Sequence, residues 1–188
     1  MKISSIDFCT NPLDEEYCDC TFEKCNFCGL KLDNIRFENC VFIDCNFSLC
    51  ILMCSLYNAT FTNCHMKGCN LAGIGAFSTG LKFSHCNLSY ANFSQLDNKG
   101  MEFSDCDMQE SGFDLAKIKS SKFSNCNLER ATFGGTDLTD CDFTTAYNFT
   151  INPNYCKLKK TKFSRLDLSG LVAHLDIVLK GTSNNCFE

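Results

Sequence analysis

The sequence predicts an all-β solenoid whose coils have four short sides of five residues each, stacked on copies of themselves. Three observations predict it. Large apolar residues recur at every fifth position, a small residue stands two places before each of them, and residue identity recurs about every twenty positions. Neither the 3.6-residue period of a helix nor the two-residue period of a strand produces five. Stacked coils place like residues above like, which turns four fives into a twenty-residue repeat.

The apolar centres run Phe22, Phe27, Leu32, Phe37, Phe42, Phe47 and Leu52. One residue is skipped before Leu56, Phe61, Met66 and Leu71, and two extra residues fall between Ala72 and Gly80. The longest run follows: Phe83, Leu88, Phe93, Asn98, Phe103, Met108, Phe113, Ile118, Phe123, Leu128, Phe133, Leu138 and Phe143, polar only at Asn98. Every fourth centre is Phe, at Phe22, Phe42, Phe61, Phe83, Phe103, Phe123, Phe143 and Phe163.

Thirteen of the seventeen cysteines stand two residues before a centre, among them Cys25, Cys45, Cys64, Cys86, Cys106 and Cys126, one coil apart. Ala59, Ala91, Ala116, Ala131 and Ser121 fill the same slot. An inward slot beside a bulky centre admits only a small side chain, and free Cys behaves as a small hydrophobe. Stacked coils about 4.8 Å apart hold parallel Cβ atoms farther apart than a relaxed disulfide prefers, so free thiols are expected. The column Asn26, Asn46, Asn87, Asp107 and Asn127, with His65, reads as a stacked polar ladder.

The opening residues have neither an apolar core segment nor a small-residue cleavage site, and no apolar run is long enough to cross a membrane. A reducing cytoplasm with free thiols is the expectation. The formal net charge of −5 argues against direct nucleic-acid binding through phosphates. Cys18, Cys20, Cys25 and Cys28 have zinc-like spacing, but the register points Cys20 and Cys25 inward and Cys28 outward, so no metal site is expected. His65, His85 and His174 have no nucleophile and carboxylate set beside them, and no phosphate loop is present. No catalytic residues and no cofactor are expected.

Ala91-Asn92-Phe93, Cys126-Asn127-Leu128 and Thr136-Asp137-Leu138 resemble the tandem fives of the pentapeptide-repeat family, and the resemblance covers about residues 20 to 168. It implies a right-handed quadrilateral parallel β-helix with a short C-terminal capping helix. Residues 148 to 181 resemble the closing segment of Qnr-type quinolone-resistance and microcin-immunity proteins, which implies a homodimer of rods joined end to end. Ser169 reads as a helix N-cap, Leu171, Val172 and Leu175 as an apolar helical patch, and Ile177 and Leu179 as a short strand. The organisation expected is an N-terminal cap at 1–19, the β-helix at 20–168, a capping helix and strand forming the dimer interface at 169–181, and a tail at 182–188. Some Qnr-type proteins project long loops, whereas here 72–80 is a single short one.

The resemblance further implies a DNA mimic that binds DNA gyrase or topoisomerase IV and protects it from a quinolone or a peptide toxin. Residues 1–150 hold 19 acidic and 11 basic residues, and 151–188 hold 3 and 6. The acids crowd toward the C-terminal half of the rod, and Asp97, Glu102, Asp105, Asp107, Glu110, Asp114, Asp137, Asp140 and Asp142 are the candidate partner-binding residues. The alternative is a structural or regulatory scaffold whose partner is not a topoisomerase.

Overall fold

The computed structural model describes residues 1–75, 78–175 and 177–180. The chain is a parallel β-solenoid. The strands β1 (Lys2–Ser4), β3 (Thr21–Glu23), β5 (Val41–Ile43), β7 (Thr60–Thr62), β8 (Lys82–Ser84), β9 (Glu102–Ser104), β10 (Lys122–Ser124), β11 (Asp142–Phe143) and β12 (Lys162–Phe163) form one nine-stranded sheet. Nine strands in one column bound eight complete coils. A second sheet joins β2 (Glu16–Cys18), β4 (Lys31–Glu38) and β6 (Ile51–Tyr57). The remaining sides pair through single bridges, such as Asn87 to Asp107 to Asn127 and Asp97 to Lys117 to Asp137.

Four faces result. Face 1 carries the Phe column from Phe22 to Phe163, and face 2 carries Phe27, Phe47, Met66, Leu88, Met108 and Leu128. Face 3 carries Leu32, Leu52, Leu71, Phe93, Phe113 and Phe133, and face 4 carries Phe37, Leu56, Asn98, Ile118 and Leu138. Almost every centre is fully buried, Leu158 and Phe163 at the open end being half-buried. Rings on face 1 stack coil on coil, with centroids 4.9 Å apart for Phe22–Phe42 and 4.5 Å for Phe123–Phe143. Each such pair adds about 0.5–1.5 kcal/mol beyond its burial.

Corners explain the period of five. A left-handed residue stands two places after a centre at most corners, including Lys24, Gly29, Asn39, Asp105, Ser120 and Arg130. Leu30 N–H closes one such turn on the Phe27 carbonyl at 3.1 Å, with left-handed Gly29 at its third position. Leu49, Tyr90 and Leu115 also adopt it, at about 1–2 kcal/mol each for a residue with a Cβ. The Asn or Asp before a centre has its own task. Asn46 Oδ1 accepts from Ser48 N–H at 3.0 Å and Asn92 Oδ1 from Ser94 N–H at 2.9 Å, which fixes the local bend and satisfies an amide the ladder leaves over.

The small slot has a polar use as well as a steric one. The single proton of the Cys45 thiol lies within reach of the carbonyls of Phe22 and Ile43, and that of Cys106 within reach of those of Phe83 and Ser104. Thr136 Oγ1 donates to Phe113 O at 2.8 Å. The slot therefore selects small residues, many of them weak donors, and the sixteen described cysteines are free thiols.

Coil length divides the rod. Lys2 pairs with Thr21 and Val41 with Thr60, nineteen residues on; Thr21 pairs with Val41, twenty on; Thr60 pairs with Lys82, twenty-two on. From Lys82 to Lys162 every step is twenty. The skipped residue lies in β6, which buries Leu52, Cys54 and Leu56 in strict alternation and runs straight through a corner. Beneath it β4 keeps left-handed Asn34, and the register shifts between Asp33 and Arg36. Residues 1–19, read from sequence as a cap, carry β1 and β2 and lie in register with the next coil.

The C-terminus departs from the sequence reading. Ser169 lies inside α1 (Ser169–Val172) rather than capping it; the capping bond belongs to Ser164, whose side chain accepts from Leu166 N–H at 3.1 Å and opens a 3₁₀ turn at Arg165–Asp167. Residues 177–179 form no strand. The 182–188 tail lies outside the described residues.

Candidate partner-binding surface

The register sorts the nine candidate acids onto different sides. Asp105, Asp107, Glu110 and Asp114 lie together on one coil, from the corner before face 2 to face 3, and Glu129 joins them one coil on. Asp97 and Asp137 lie on face 4, Asp140 at the corner between faces 4 and 1, and Glu102 and Asp142 on face 1. The structure therefore brings four of the nine together and separates five from them.

The lysines are equally partitioned. Lys82, Lys99, Lys117, Lys119, Lys122, Lys157, Lys159, Lys160 and Lys162 all lie on face 4, on face 1 or at the corner between them. From Phe83 to Ile151, the one Lys or Arg on the opposite side is Arg130. The acids on the lysine side are largely neutralised by the next coil. Asp97 pairs with Lys117 at 3.0 Å, Glu102 with Lys82 at 3.2 Å and Asp142 with Lys162 at 3.8 Å. Asp137, only 6% exposed, is held by Lys119 at 3.3 Å and Lys157 at 3.7 Å. Burial works against its charge, yet the Thr139 hydroxyl and amide with Lys119 outweigh it and hold the carboxyl below its ordinary 3.8.

Among the described residues, Glu110 alone on the acidic side has a salt-bridge partner, Arg130, at 3.5 Å; its carboxylate also accepts from Tyr90 Oη at 3.2 Å. Asp105 accepts from Ser104 Oγ and Asn125 Nδ2, and these bonds lower its carboxyl from the ordinary value. Asp114 accepts from Thr132 Oγ1 at 2.5 Å and Gly134 N–H at 2.6 Å, and Asp107 from Gln109 N–H at 3.3 Å. The result is a fixed, hydrogen-bonded acidic strip about 5 Å deep along the axis.

Short apolar loops do not extend this surface. Gly73 and Gly75 lie against Met53 and Ser55, Ser78 Oγ accepts from Leu56 N–H at 2.9 Å, and Asn98 Nδ2 donates to Ser78 O at 2.6 Å. The described part of 72–80 hugs the rod. Among the described residues one cluster has metal-ligand proximity, Glu16, Cys18 and Glu38, and Arg36 already bridges its two carboxylates.

At the C-terminal end, Leu175, Ile177 and Leu179 are exposed as an interface requires, but Leu171 packs against the core and Val172 is half-buried. Sequence reasoning missed Leu166, Leu168 and Val178, which are also exposed, Leu166 at 92%. Leu166 and Leu168 fall in the last coil's own repeat pattern, which concealed their outward direction.

Residues 20–53 match the family model for pentapeptide repeats, and residues 76–152 match that for a pentapeptide repeat region. The chain belongs to the pentapeptide-repeat family. No curated protein sequence matches this pentapeptide-repeat chain significantly. Two trypsin-treated forms of QnrB1, a plasmid-mediated fluoroquinolone resistance protein, share its fold. Their TM-scores are 0.66 and 0.61 at 19% and 18% identity, covering 96% of this chain in each case and 98% and 99% of theirs. No helix among the described residues of this pentapeptide-repeat protein is long and apolar enough to cross a membrane.

Proposed function

We propose that this protein binds a type II topoisomerase, DNA gyrase or topoisomerase IV, and protects it from a poison, either a quinolone or a peptide toxin. The reading is carried by the likeness to QnrB1, which spans both chains almost end to end. The partner-facing side is the acidic one, with Asp105, Asp107, Glu110 and Asp114 at its centre. A rigid rod with fixed carboxylates fits a basic groove shaped for phosphates. Two rods joined through Leu166, Leu168, Leu175, Ile177 and Leu179 bury an apolar end that water otherwise covers, and place both acidic strips toward the middle of the dimer. The protein acts by occupancy, without a catalytic step.

A supercoiling assay with purified gyrase and ciprofloxacin tests this. Restored supercoiling at micromolar protein is the expected result, and neither protection nor inhibition at that concentration sinks the proposal. The second reading, a scaffold for a non-topoisomerase partner, draws support from the balanced charges of faces 1 and 4. A pull-down that recovers another protein and no gyrase favours it.

A further inference from the structure

Face 3 differs in character from the other three sides. Between Asn70 and Gly134 its outward residues, such as Asn70, Ala72, Ser94 and Gly112, are small and uncharged, and Asp114 is the one charge among them. Among the described residues from 49 to 135, six large apolar side chains are exposed, and five of them border this face. Leu49 and Tyr90 stand at its corner with face 2, Leu115 at its corner with face 4, and Ile51 and Met53 on the face beside Leu52. The sixth, Tyr57, lies on face 4.

The two corner leucines are seated. Each is left-handed, where a side chain is disfavoured, and the next coil places a glycine against it. A Cβ at Gly68 would stand 2.9 Å from Leu49 Cδ2, and one at Gly135 2.7 Å from Leu115 Cδ2. The glycines leave each leucine room to lie along the rod as a fixed apolar rim.

The floor between the rims has spent its polar groups within the rod. Asn92 Nδ2 donates to Asn70 Oδ1 at 3.3 Å, Asn70 Oδ1 also accepts from Ala72 N–H at 3.0 Å, and Thr132 and Gly134 hold Asp114. The amides of Asn70, Asn92, Gly112 and Thr132 each donate to the preceding coil. An extended segment laid on this face finds no free strand edge, and its own amides lose water without compensation. A helix closes its own backbone bonds and brings only side chains.

Size selects in the same direction. Five coils at about 4.8 Å make the face ~24 Å long, and a five-residue side is roughly 10 Å across. The resulting ~240 Å² is far below the roughly 800 Å² that each partner buries in a standard interface, too little to hold a second rod. It matches the footprint of one helix about 10 Å wide and ~16 residues long.

We propose that face 3 docks a single helix of the partner, parallel to the rod axis, with its apolar stripe on the floor between the Leu49–Tyr90 and Leu115 rims. The proposal rests on the topoisomerase reading. There the acidic strip supplies attraction that salt screens, and face 3 adds an apolar contact that salt does not weaken.

Affinity for purified gyrase, measured at low salt and at about 0.3 M salt, tests it. The variant L49N/L115N keeps the net charge, and Asn accepts left-handed corners, as Asn39 and Asn58 do here. It should weaken binding about tenfold or more at both salt concentrations. Y57N, which removes the exposed apolar residue of face 4, should change affinity less than about twofold. Unchanged affinity in L49N/L115N overturns the inference, and so does an equal loss in Y57N. Should L49N/L115N fail to fold, S94F, which fills the floor without adding charge, takes its place with the same two outcomes. A wild-type dimer that L49N/L115N dissociates assigns the face to a second copy and also overturns it. If wild type does not bind gyrase at all, the topoisomerase reading falls and this inference with it, a result distinct from wild-type binding that the face 3 variants leave intact.

Discussion

Gly170 lies directly on the backbone of Phe149: a Cβ at Gly170 would stand 2.2 Å from the Phe149 carbonyl oxygen and 2.8 Å from its ring. The contact seats the C-terminal segment on the last coil, where Ile151 N–H donates to Gly170 O at 3.0 Å. Capping of the open core and presentation of the apolar end both depend on this approach.

Gly170→Ala should therefore unseat the cap. A backbone clash cannot relax through a flexible side chain, so a loss of about 2 kcal/mol is expected in urea unfolding, within the range for strained backbone sites. Hydrogen exchange should show the loss confined to residues after Phe143. Wild-type stability in this variant would show that the cap seats differently.

Asn98 is the polar exception among the core centres. Its Nδ2 holds the Ser78 carbonyl, while its buried Oδ1 has no partner among the described residues. Asn98→Ala removes the donor and opens a cavity, and should cost about 2–4 kcal/mol in denaturant unfolding. It should also speed exchange of the amides around Ser78. A change below about 0.5 kcal/mol would mean that the bond contributes little.

Stability should fall in alkali. Burial pushes the Cys40 thiol up to about 11, and those of Cys54 and Cys141 up to about 12, from an ordinary 9.0. The raised folded value means these thiols stabilise the fold fully below pH 9, and the stabilisation is lost as pH rises from 9 toward 12. In that window each buried thiol steepens the decline by up to about 1.4 kcal/mol per pH unit. Urea midpoints measured from pH 8 to 11 check this, and a flat profile contradicts it. Under native conditions a maleimide should modify exposed Cys9 and Cys18 and spare these three, as peptide mass mapping would show.

Asp137 and Asp107 separate structure from recognition. Asp137 is buried between two lysines, so Asp137→Ala should destabilise by about 1–3 kcal/mol, in the manner of a paired carboxylate removed from two cations, and leave partner affinity intact. The loss should shrink as pH falls, because the carboxylate's folded value is depressed and its stabilisation disappears on protonation. Asp107→Lys should do the reverse, weakening the partner while unfolding within about 1 kcal/mol of wild type.

Much of this was legible in the residues. Centres such as Phe103 and slots such as Cys106 announce their inward direction because a core repeats its chemistry wherever the backbone repeats its geometry. The cap was less legible. Ser169 reads as a helix start in sequence, whereas the capping bond is made by Ser164, one residue after Phe163 in the last coil. Leu171 packs in part against the core, and in sequence an apolar patch on a short helix looks the same whether it faces a partner or its own core. In sequence the acids read as one surface, because their positions interleave with those of the lysines. Only the four-sided register shows that Asp114 and Lys117, three residues apart, lie on adjacent faces of different character.

The central claim is that the acidic side, and not the lysine side, meets a DNA-handling enzyme. Titration of fluorescently labelled protein with purified gyrase, competed by duplex DNA, tests it most directly. The account predicts saturable binding that DNA displaces, weakened at least tenfold by D105K/D107K/D114K and unchanged by K99E/K119E/K159E. Binding that survives the aspartate reversals, or that fails when the lysines are reversed instead, would contradict it.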